Sequence, residues 1–126
     1  LLKNIPHDEM NKYFQESDVF LLPSVRECAS VSQLEAMAFG LPVIIGSDNG
    51  TAEYVENNKC GRIVKIKEPY TLENNYELEK AMEFYCENSD QIRKHGEYAR
   101  NLISEKYCAD AIYIKFSGMM KAVIQK

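Results

Sequence analysis

Three short apolar runs, spaced about twenty residues apart, constrain the fold of this chain more than any other feature. They are Val19–Leu22, Val43–Ile45 and Ile63–Val64, and helical patterns of apolar residues lie between them. Such alternation is typical of parallel strands joined by crossover helices. Because the runs lack polar alternation, we expect both faces of the strands to be covered. The sequence therefore predicts an α/β fold with a small open parallel sheet.

The first crossover helix has recognisable start and stop signals. A capping box of Ser30 with Gln33 is able to start it, and Ser32 with Glu35 is the alternative. A glycine two residues before Pro42 ends it. The residues predicted to form its apolar stripe are Val31, Leu34, Ala38 and Leu41.

The rest of the chain reads as helix around this unit. We predict a helix from His7 to Glu16 and a short one from Thr51 to Glu56, after an Asn-Gly turn. After residue 70 three helical patterns follow, and their Met, Tyr and Phe residues are interpreted as core. The predicted organisation is one domain, with an α/β part at residues 1–69 and a helical tail at 70–126 that packs on or beside the sheet.

Composition excludes several classes of function. The net charge is −4 with acidic and basic residues interspersed, so no nucleic-acid partner is expected. The four cysteines and two histidines show no metal-ligand or CxxC spacing, so we expect no metal site and reduced thiols. His7 is expected at the surface, and His95 at the surface or half-buried. No apolar run approaches the roughly 18 residues of a membrane-spanning helix. We therefore expect a cytoplasmic protein, free or peripheral to the membrane.

The turn from the first strand into the first crossover helix is the predicted ligand site, because ligands bind at this edge of open α/β sheets. Free amides and the helix dipole at Ala29–Ser32 favour a diphosphate. Glu27 precedes this seat, and Glu35 lies roughly 7 Å along the helix axis from Ser30. Carboxylates repel phosphates but accept hydrogen bonds from hydroxyl groups. The pattern therefore suits a nucleoside-diphosphate sugar, with Glu27 on the sugar and Glu35 on the ribose.

The same segment resembles the signature of the retaining glycosyltransferases of family 4, also called group 1, which have the two-lobed GT-B fold. The resemblance consists of Pro-Ser after an apolar strand, a Glu, seven residues, a second Glu, Ala-Met-Ala, a Gly and Pro-Val-Ile. It extends from about residue 4 to residue 65 and includes Cys60-Gly61-Arg62-Ile63-Val64. The resemblance implies the Rossmann-like, donor-binding half of a GT-B enzyme.

The resemblance also implies roles for single residues. Glu27 is expected to contact the transferred sugar as the catalytic glutamate, and Glu35 to hold the ribose of a UDP- or GDP-sugar. Backbone amides of the loop contact sugar and phosphate, here Cys28, Ala29, Ser30 and Val31. Many family members have Gly-Phe-Gly where this chain has Cys28-Ala29-Ser30, and the added side chains are expected to narrow the sugar pocket. No cofactor or metal is implied.

The resemblance further implies that parts of the enzyme precede this segment. The lobe that binds the acceptor glycan or lipid, and the basic residues that neutralise the leaving diphosphate, lie before these motifs in the family. The chain begins at Leu1 without a methionine. We therefore expect an excised part of a longer enzyme that is inactive by itself.

Simpler interpretations stay open for the same residues. Glu35 is able to close a capping box with Ser32, and Glu27 is able to be a solvated loop acid. The alternative function is a non-catalytic α/β interaction or regulatory module that uses its helical tail to bind a protein. An exposed apolar face on the last helix would favour that alternative.

Overall fold

The three apolar runs form one parallel sheet in the computed structural model, which describes residues 5–68, 70, 71 and 73–124. Strands β1 (Phe20–Leu22), β2 (Val43–Gly46) and β3 (Gly61–Val64) lie in the order β1-β2-β3. In register, Phe20 pairs with Val43, and Val43 pairs with Gly61 on its other side. The predicted α/β fold with a small open parallel sheet is confirmed. Two positions that bear on the predictions lie outside the described residues. They are Leu1, where the chain begins, and Pro69, at the predicted junction between the α/β part and the helical tail.

Five α-helices, one 3-10 turn and one π-helical turn complete the described part of the chain. The helices are α1 (His7–Glu16), α2 (Val31–Ala38), α3 (Tyr76–Glu87), α4 (Ser89–Leu102) and α5 (Ala109–Ile124). A 3-10 turn spans Gly50–Tyr54, and a π-helical turn spans Ile103–Tyr107. The bounds predicted for α1 are confirmed. The short helix predicted from Thr51 to Glu56 is this 3-10 turn, shifted by one to two residues.

Helices cover the sheet on two sides. Successive residues of β2 alternate between the sides, because side chains of a strand point to opposite faces. Val43 and Ile45 pack with Met37 of α2 and with Leu102 of α4. On the other face, Ile44 packs with Tyr85 and other residues of α3. β2 is therefore buried at every residue, as predicted.

The outer strand β1 departs from the prediction that both strand faces are covered. Leu21, its middle residue, is 41% exposed. Leu21 is paired with Ile44 on the α3 side of the sheet, and α3 packs mainly against β2 and β3 rather than β1. An unbroken apolar run therefore predicts burial on both faces correctly for β2 but not for β1.

Helix α2 ends in a Schellman motif, which fixes the entry into β2. Gly40 has a left-handed φ of +83°, and its amide donates to the Met37 carbonyl at 2.9 Å. The Leu41 amide donates to the Ala36 carbonyl at 3.0 Å. The prediction that Gly40, followed by Pro42, ends the helix is confirmed, since α2 stops at Ala38.

The predicted apolar stripe of α2 is wrong for most of its members. Val31 is 66% exposed and Ala38 is exposed, whereas Leu41 alone of the four is buried. The residues that α2 buries are Gln33, Ala36 and Met37. The helix has only eight residues, and its packing against the sheet and α4 selects a face one position away from the predicted one.

The last helix also departs from the prediction. Helices α3 and α4 pack on the sheet as expected, but α5 presents most of its apolar side chains to solvent. The exposed members are Ile112, Tyr113, Ile114, Phe116, Met119, Met120 and Val123. Interpreting the Met, Tyr and Phe residues of this helix as core was wrong, because helical spacing predicts an apolar face and not what covers it. None of the described helices combines the length and apolar character that a membrane crossing requires.

Candidate functional site

The segment between β1 and α2 crosses the carboxyl edge of the sheet. β1 ends at Leu22, residues 23–30 form an extended loop, and α2 begins at Val31. Because all three strands are parallel, the ends of β2 and β3 lie at the same edge. The fold therefore places the predicted site residues where open α/β sheets bind ligands.

The amino terminus of α2 is capped by one of the two predicted pairs. The Ser30 side chain accepts a hydrogen bond from the Gln33 amide at 3.2 Å. The reciprocal half of that capping box is absent among the described hydrogen bonds, since the Gln33 side chain turns to Thr51. The Ser32–Glu35 alternative is wrong, because α2 starts at Val31 and Ser32 lies inside it, with its hydroxyl 3.0 Å from the Ser30 hydroxyl. The first amides of the helix still lack intrahelical acceptors.

The two predicted carboxylates are partly buried and weakly engaged. Glu27 is half-buried, and no described residue forms a hydrogen bond or ion pair with its carboxylate. The Glu35 side chain is 30% exposed, and its described partner is His7, with Nε2 at 3.6 Å from Oε1. His7 starts α1 and its side chain is 83% exposed, so this contact contributes little to stability. Both carboxylates are therefore able to accept hydrogen bonds from a ligand.

The remaining predicted residues lie between these carboxylates. Cys28, Ala29 and Val31 are exposed, whereas Ser30 is buried as the helix cap. The loop thus presents backbone and small side chains to solvent over the helix terminus. A cavity of about 520 Å³ lies beside it, but its described lining residues, such as Val25 and Ile66, include none of the six predicted site residues.

The turn after β2 supports the loop, a role in the site that its sequence did not predict. The Gly50 amide donates to the Glu27 carbonyl at 2.7 Å. A Cβ at residue 50 would lie 2.3 Å from the Cys28 carbonyl oxygen, so the close approach requires glycine. The Asn49-Gly50 pair was visible in the sequence as a turn, but its contact with the loop depends on tertiary structure.

Three buried polar side chains join this turn to α2. The Gln33 side-chain Nε2 donates to the Thr51 carbonyl at 3.0 Å, and Thr51 Oγ1 lies 2.5 Å from Gln33 Oε1. Asn49 Oδ1 accepts from the Thr51 amide at 2.9 Å and lies 2.7 Å from Thr51 Oγ1. The single hydroxyl hydrogen of Thr51 donates to one of these two oxygens at a time. Gln33 was missed as part of the site because a polar residue is usually assigned to the solvent face.

The side chains that commonly bind metals do not cluster among the described residues. Across residues 5–68, 70, 71 and 73–124, no group of three or more His, Cys, Asp or Glu side chains is arranged to hold a metal ion. The thiols of all four cysteines are free. The arrangement offers acceptor carboxylates and backbone donors, which suit a ligand that carries both hydroxyl groups and an anion.

Residues 1–102 match the family model described as glycosyl transferases group 1. This chain is a group 1 glycosyltransferase domain. The family predicted from the resemblance is therefore confirmed. The glycosyltransferase WcaL of Escherichia coli K12, named for colanic acid biosynthesis, is 27% identical over 124 residues. That match includes 94% of this chain and 29% of WcaL.

Solved structures share the fold of the group 1 domain. The C-terminal domain of the group 1 protein LpcC from Francisella tularensis matches 86% of this chain and 53% of its own, with a TM-score of 0.74 and 18% identity. HepE of Anabaena, in complex with UDP-glucose, matches 90% of this chain and 30% of its own, with a TM-score of 0.73 and 17% identity. The predicted Rossmann-like half of a GT-B fold is confirmed. The chain spans 15% to 29% of the length of the first curated relatives that it matches.

Proposed function

We propose that the loop between β1 and α2 binds a nucleoside-diphosphate sugar and that the chain is the donor-binding part of a retaining hexosyltransferase. One observation carries this proposal: two acceptor carboxylates, Glu27 and Glu35, flank the amino terminus of α2 without a buried partner among the described residues. Carboxylates left in this state are suited to hydroxyl donors, and the helix terminus between them is suited to a diphosphate.

Each group has a distinct role in this proposal. Glu27 accepts hydrogen bonds from the sugar and orients it for transfer. Glu35 accepts hydrogen bonds from the ribose, which takes the place of His7 beside this carboxylate. The backbone amides of Cys28, Ala29, Ser30 and Val31 contact the sugar and the diphosphate. The buried Ser30 side chain also caps α2 by accepting a hydrogen bond from the Gln33 backbone amide. The UDP-glucose bound to HepE, which shares the fold, supports a donor of this class.

The acceptor side of the reaction belongs to the proposal as well. We propose a glycan, a lipid or a small molecule as acceptor, and the name of WcaL, which refers to colanic acid biosynthesis, favours a glycan. We also propose a cytoplasmic location, with which the four free thiols are consistent.

The domain alone is proposed to bind the donor without transferring its sugar. Residues 23–30 contain one cationic side chain, Arg26, which is exposed. Charge that develops on the leaving diphosphate requires preorganised positive groups, and one exposed arginine gives limited stabilisation. Transfer therefore needs further basic groups that this loop does not supply.

Calorimetric titration of the chain with UDP and GDP tests the proposal. We expect one of the two nucleotides to bind. The Glu35→Ala variant is expected to bind it about tenfold to a hundredfold more weakly, because hydrogen bonds to a charged group contribute about 1.5–3 kcal/mol.

The matched control is Glu87→Ala, which removes an exposed glutamate from the end of α3. It should bind the nucleotide as the wild type does, and both variants should give the wild-type circular dichroism spectrum. A wild-type chain that binds neither nucleotide contradicts the proposal, as does a folded Glu35→Ala variant with unchanged affinity.

A second candidate is favoured by one specific observation. The exposed apolar face of α5 fits a module that binds a protein through its helical tail. That candidate predicts no nucleotide affinity in the titration above. It also predicts that glutamine substitutions at Ile114 and Phe116 abolish partner binding, whereas Glu35→Ala leaves it unchanged.

A further inference from the structure

A buried polar cluster, Gln33, Asn49 and Thr51, lies directly behind the proposed donor loop. The three residues are 0%, 3% and 1% exposed. Gln33 belongs to the first turn of α2, and the other two belong to the turn after β2. Packing alone does not require polar groups here, since apolar side chains of similar size fill a core without hydrogen-bond partners.

The hydrogen bonds of the cluster fix the turn in one orientation relative to α2. Gln33 uses both ends of its amide on Thr51, with Nε2 on the carbonyl and Oε1 beside the hydroxyl. Asn49 Oδ1 accepts from the Thr51 amide, which sets the start of the 3-10 turn. If the turn moved relative to α2, the buried Gln33 side-chain amide would lose these hydrogen bonds, and the lost bonds oppose that movement.

The turn in this orientation then sets the position of Glu27. Gly50 lies between Asn49 and Thr51, and its amide holds the Glu27 carbonyl at 2.7 Å. Contact between the turn and the loop is tight, since a Cβ at residue 50 would overlap the Cys28 carbonyl. The first turn of α2 is therefore connected to Glu27 by the hydrogen bonds of Gln33 to Thr51, the peptide bond between Thr51 and Gly50, and the hydrogen bond from Gly50 to the Glu27 carbonyl.

We propose that Gln33, Asn49 and Thr51 are positioning residues that set the spacing between the Glu27 carboxylate and the amino terminus of α2. This inference rests on the proposed function. The diphosphate lies on α2 and the sugar lies on Glu27, so the cluster determines whether one donor molecule reaches both. Glu35 lies on α2 itself and its described side-chain contact is outside the cluster, so the nucleotide part of the donor is independent of it.

The test compares nucleotide with nucleotide sugar in the same variants. The wild-type chain is first titrated with UDP, UDP-glucose, UDP-galactose, UDP-N-acetylglucosamine, GDP and GDP-mannose to select the sugar nucleotide that binds most tightly. Thr51→Val keeps the shape of the side chain and removes the hydroxyl. We expect its affinity for the free nucleotide to stay within about twofold, and its affinity for the sugar nucleotide to fall about five- to tenfold.

Two further variants separate positioning from folding. Thr51→Ser keeps the hydroxyl and is expected to restore the wild-type preference for the sugar nucleotide. Gln33→Met keeps the length of the side chain, removes both hydrogen bonds to Thr51 and is expected to reproduce the selective loss. It also provides the test if thermal melting shows that Thr51→Val is unfolded.

The outcomes distinguish this inference from the proposal on which it rests. Selective loss of sugar-nucleotide affinity in a folded variant, with recovery in Thr51→Ser, supports the positioning role. Equal weakening for both ligands, or no change for either, overturns it and leaves the donor site intact. A wild-type chain that binds none of the six ligands overturns the proposed function itself.

Discussion

At the scale of single residues, the Glu56 carboxylate accepts hydrogen bonds from three side chains of the described chain. The Tyr98 hydroxyl donates to its carboxylate at 2.5 Å, and the Lys59 and Lys106 ammonium groups lie at 3.1 and 3.2 Å. The hydrogen bond from Tyr98, followed by those from Lys59 and Lys106, lowers the pKa of Glu56 from 4.5 to about 2. This cluster joins the turn before β3 to α4 and to the π-helical turn.

The lowered pKa of Glu56 predicts the pH range in which this cluster stabilises the fold. The unfolded carboxyl group binds its proton near pH 4.5, whereas the folded one does so only near pH 2. The stabilisation is therefore complete above about pH 5 and disappears as the pH falls from 4.5 to 2. Urea unfolding of wild type and Glu56→Gln should show a stability difference at pH 7 that shrinks over this range.

Glu105→Gln is the control for that experiment. Glu105 is exposed on the π-helical turn and has no partner among the described hydrogen bonds and ion pairs. It should unfold as the wild type does at each pH. A Glu56→Gln variant whose deficit is the same at pH 7 and pH 2.5 would show that packing, and not the charge, is responsible.

The sequence allowed Glu27 and Glu35 to be singled out because their spacing around a helix start is a local property. It did not allow the roles of Gln33 and Thr51 to be predicted, because their contact joins residues 18 positions apart. His95 shows the same limit. It was expected at the surface or half-buried, yet it is 7% exposed, with its Nδ1 at 2.8 Å from the Tyr85 hydroxyl. Whether a polar side chain is buried depends on the neighbour that supplies its hydrogen bond.

At the scale of secondary-structure elements, α4 approaches the end of α2 through Gly96. A Cβ at this position would lie 2.0 Å from the Gly40 carbonyl oxygen, which belongs to the backbone of the Schellman motif and has little room to move. We expect Gly96→Ala to lower the free energy of unfolding by about 1–3 kcal/mol, as overpacking does in other cores. Chemical denaturation measures this change directly.

Gly118→Ala is the matched control, because it makes the same substitution in a helix where the added Cβ has space. Gly118 lies within α5, and a Cβ there meets no atom within 4 Å. Gly118→Ala should therefore raise the free energy of unfolding by up to about 1 kcal/mol, the usual gain in a helix interior. If Gly96→Ala is also stabilising, α4 does not approach α2 as closely as described.

Elements were predicted well where one local signal defines them. Pro6 and the apolar spacing after it gave α1 its bounds, and the glycine before Pro42 gave α2 its end. Helix faces were predicted less well. Val31 was placed on the buried stripe of α2 but is exposed, since which side of an eight-residue helix is covered depends on where α4 lies.

At the scale of the whole molecule, the described core ends before α5. Leu102, at the end of α4, is 5% exposed and packs with the sheet, whereas Phe116 is 61% exposed. Leu102→Ala is expected to lower the free energy of unfolding by about 2–5 kcal/mol. Ile114→Gln and Phe116→Gln should each change it by less than about 0.5 kcal/mol, because both side chains are exposed and their replacement leaves no cavity in the core.

Equilibrium denaturation of the three variants, at a protein concentration where the chain is monomeric, decides this point. A loss of more than about 2 kcal/mol for Phe116→Gln would place α5 in the core and contradict its described exposure.

The order of the strands has a consequence for the kinetics of folding. Phe20 pairs with Val43 and Val43 with Gly61, so each pairing in the sheet closes a loop of about twenty residues. No strand contact is therefore available until a crossover segment has collapsed, and the entropy of closing that segment opposes the first pairing. Refolding is expected to be slower than for a helical bundle of equal length. Its rate depends on when β2 forms its pairings, because β1 and β3 both pair with β2 and not with each other.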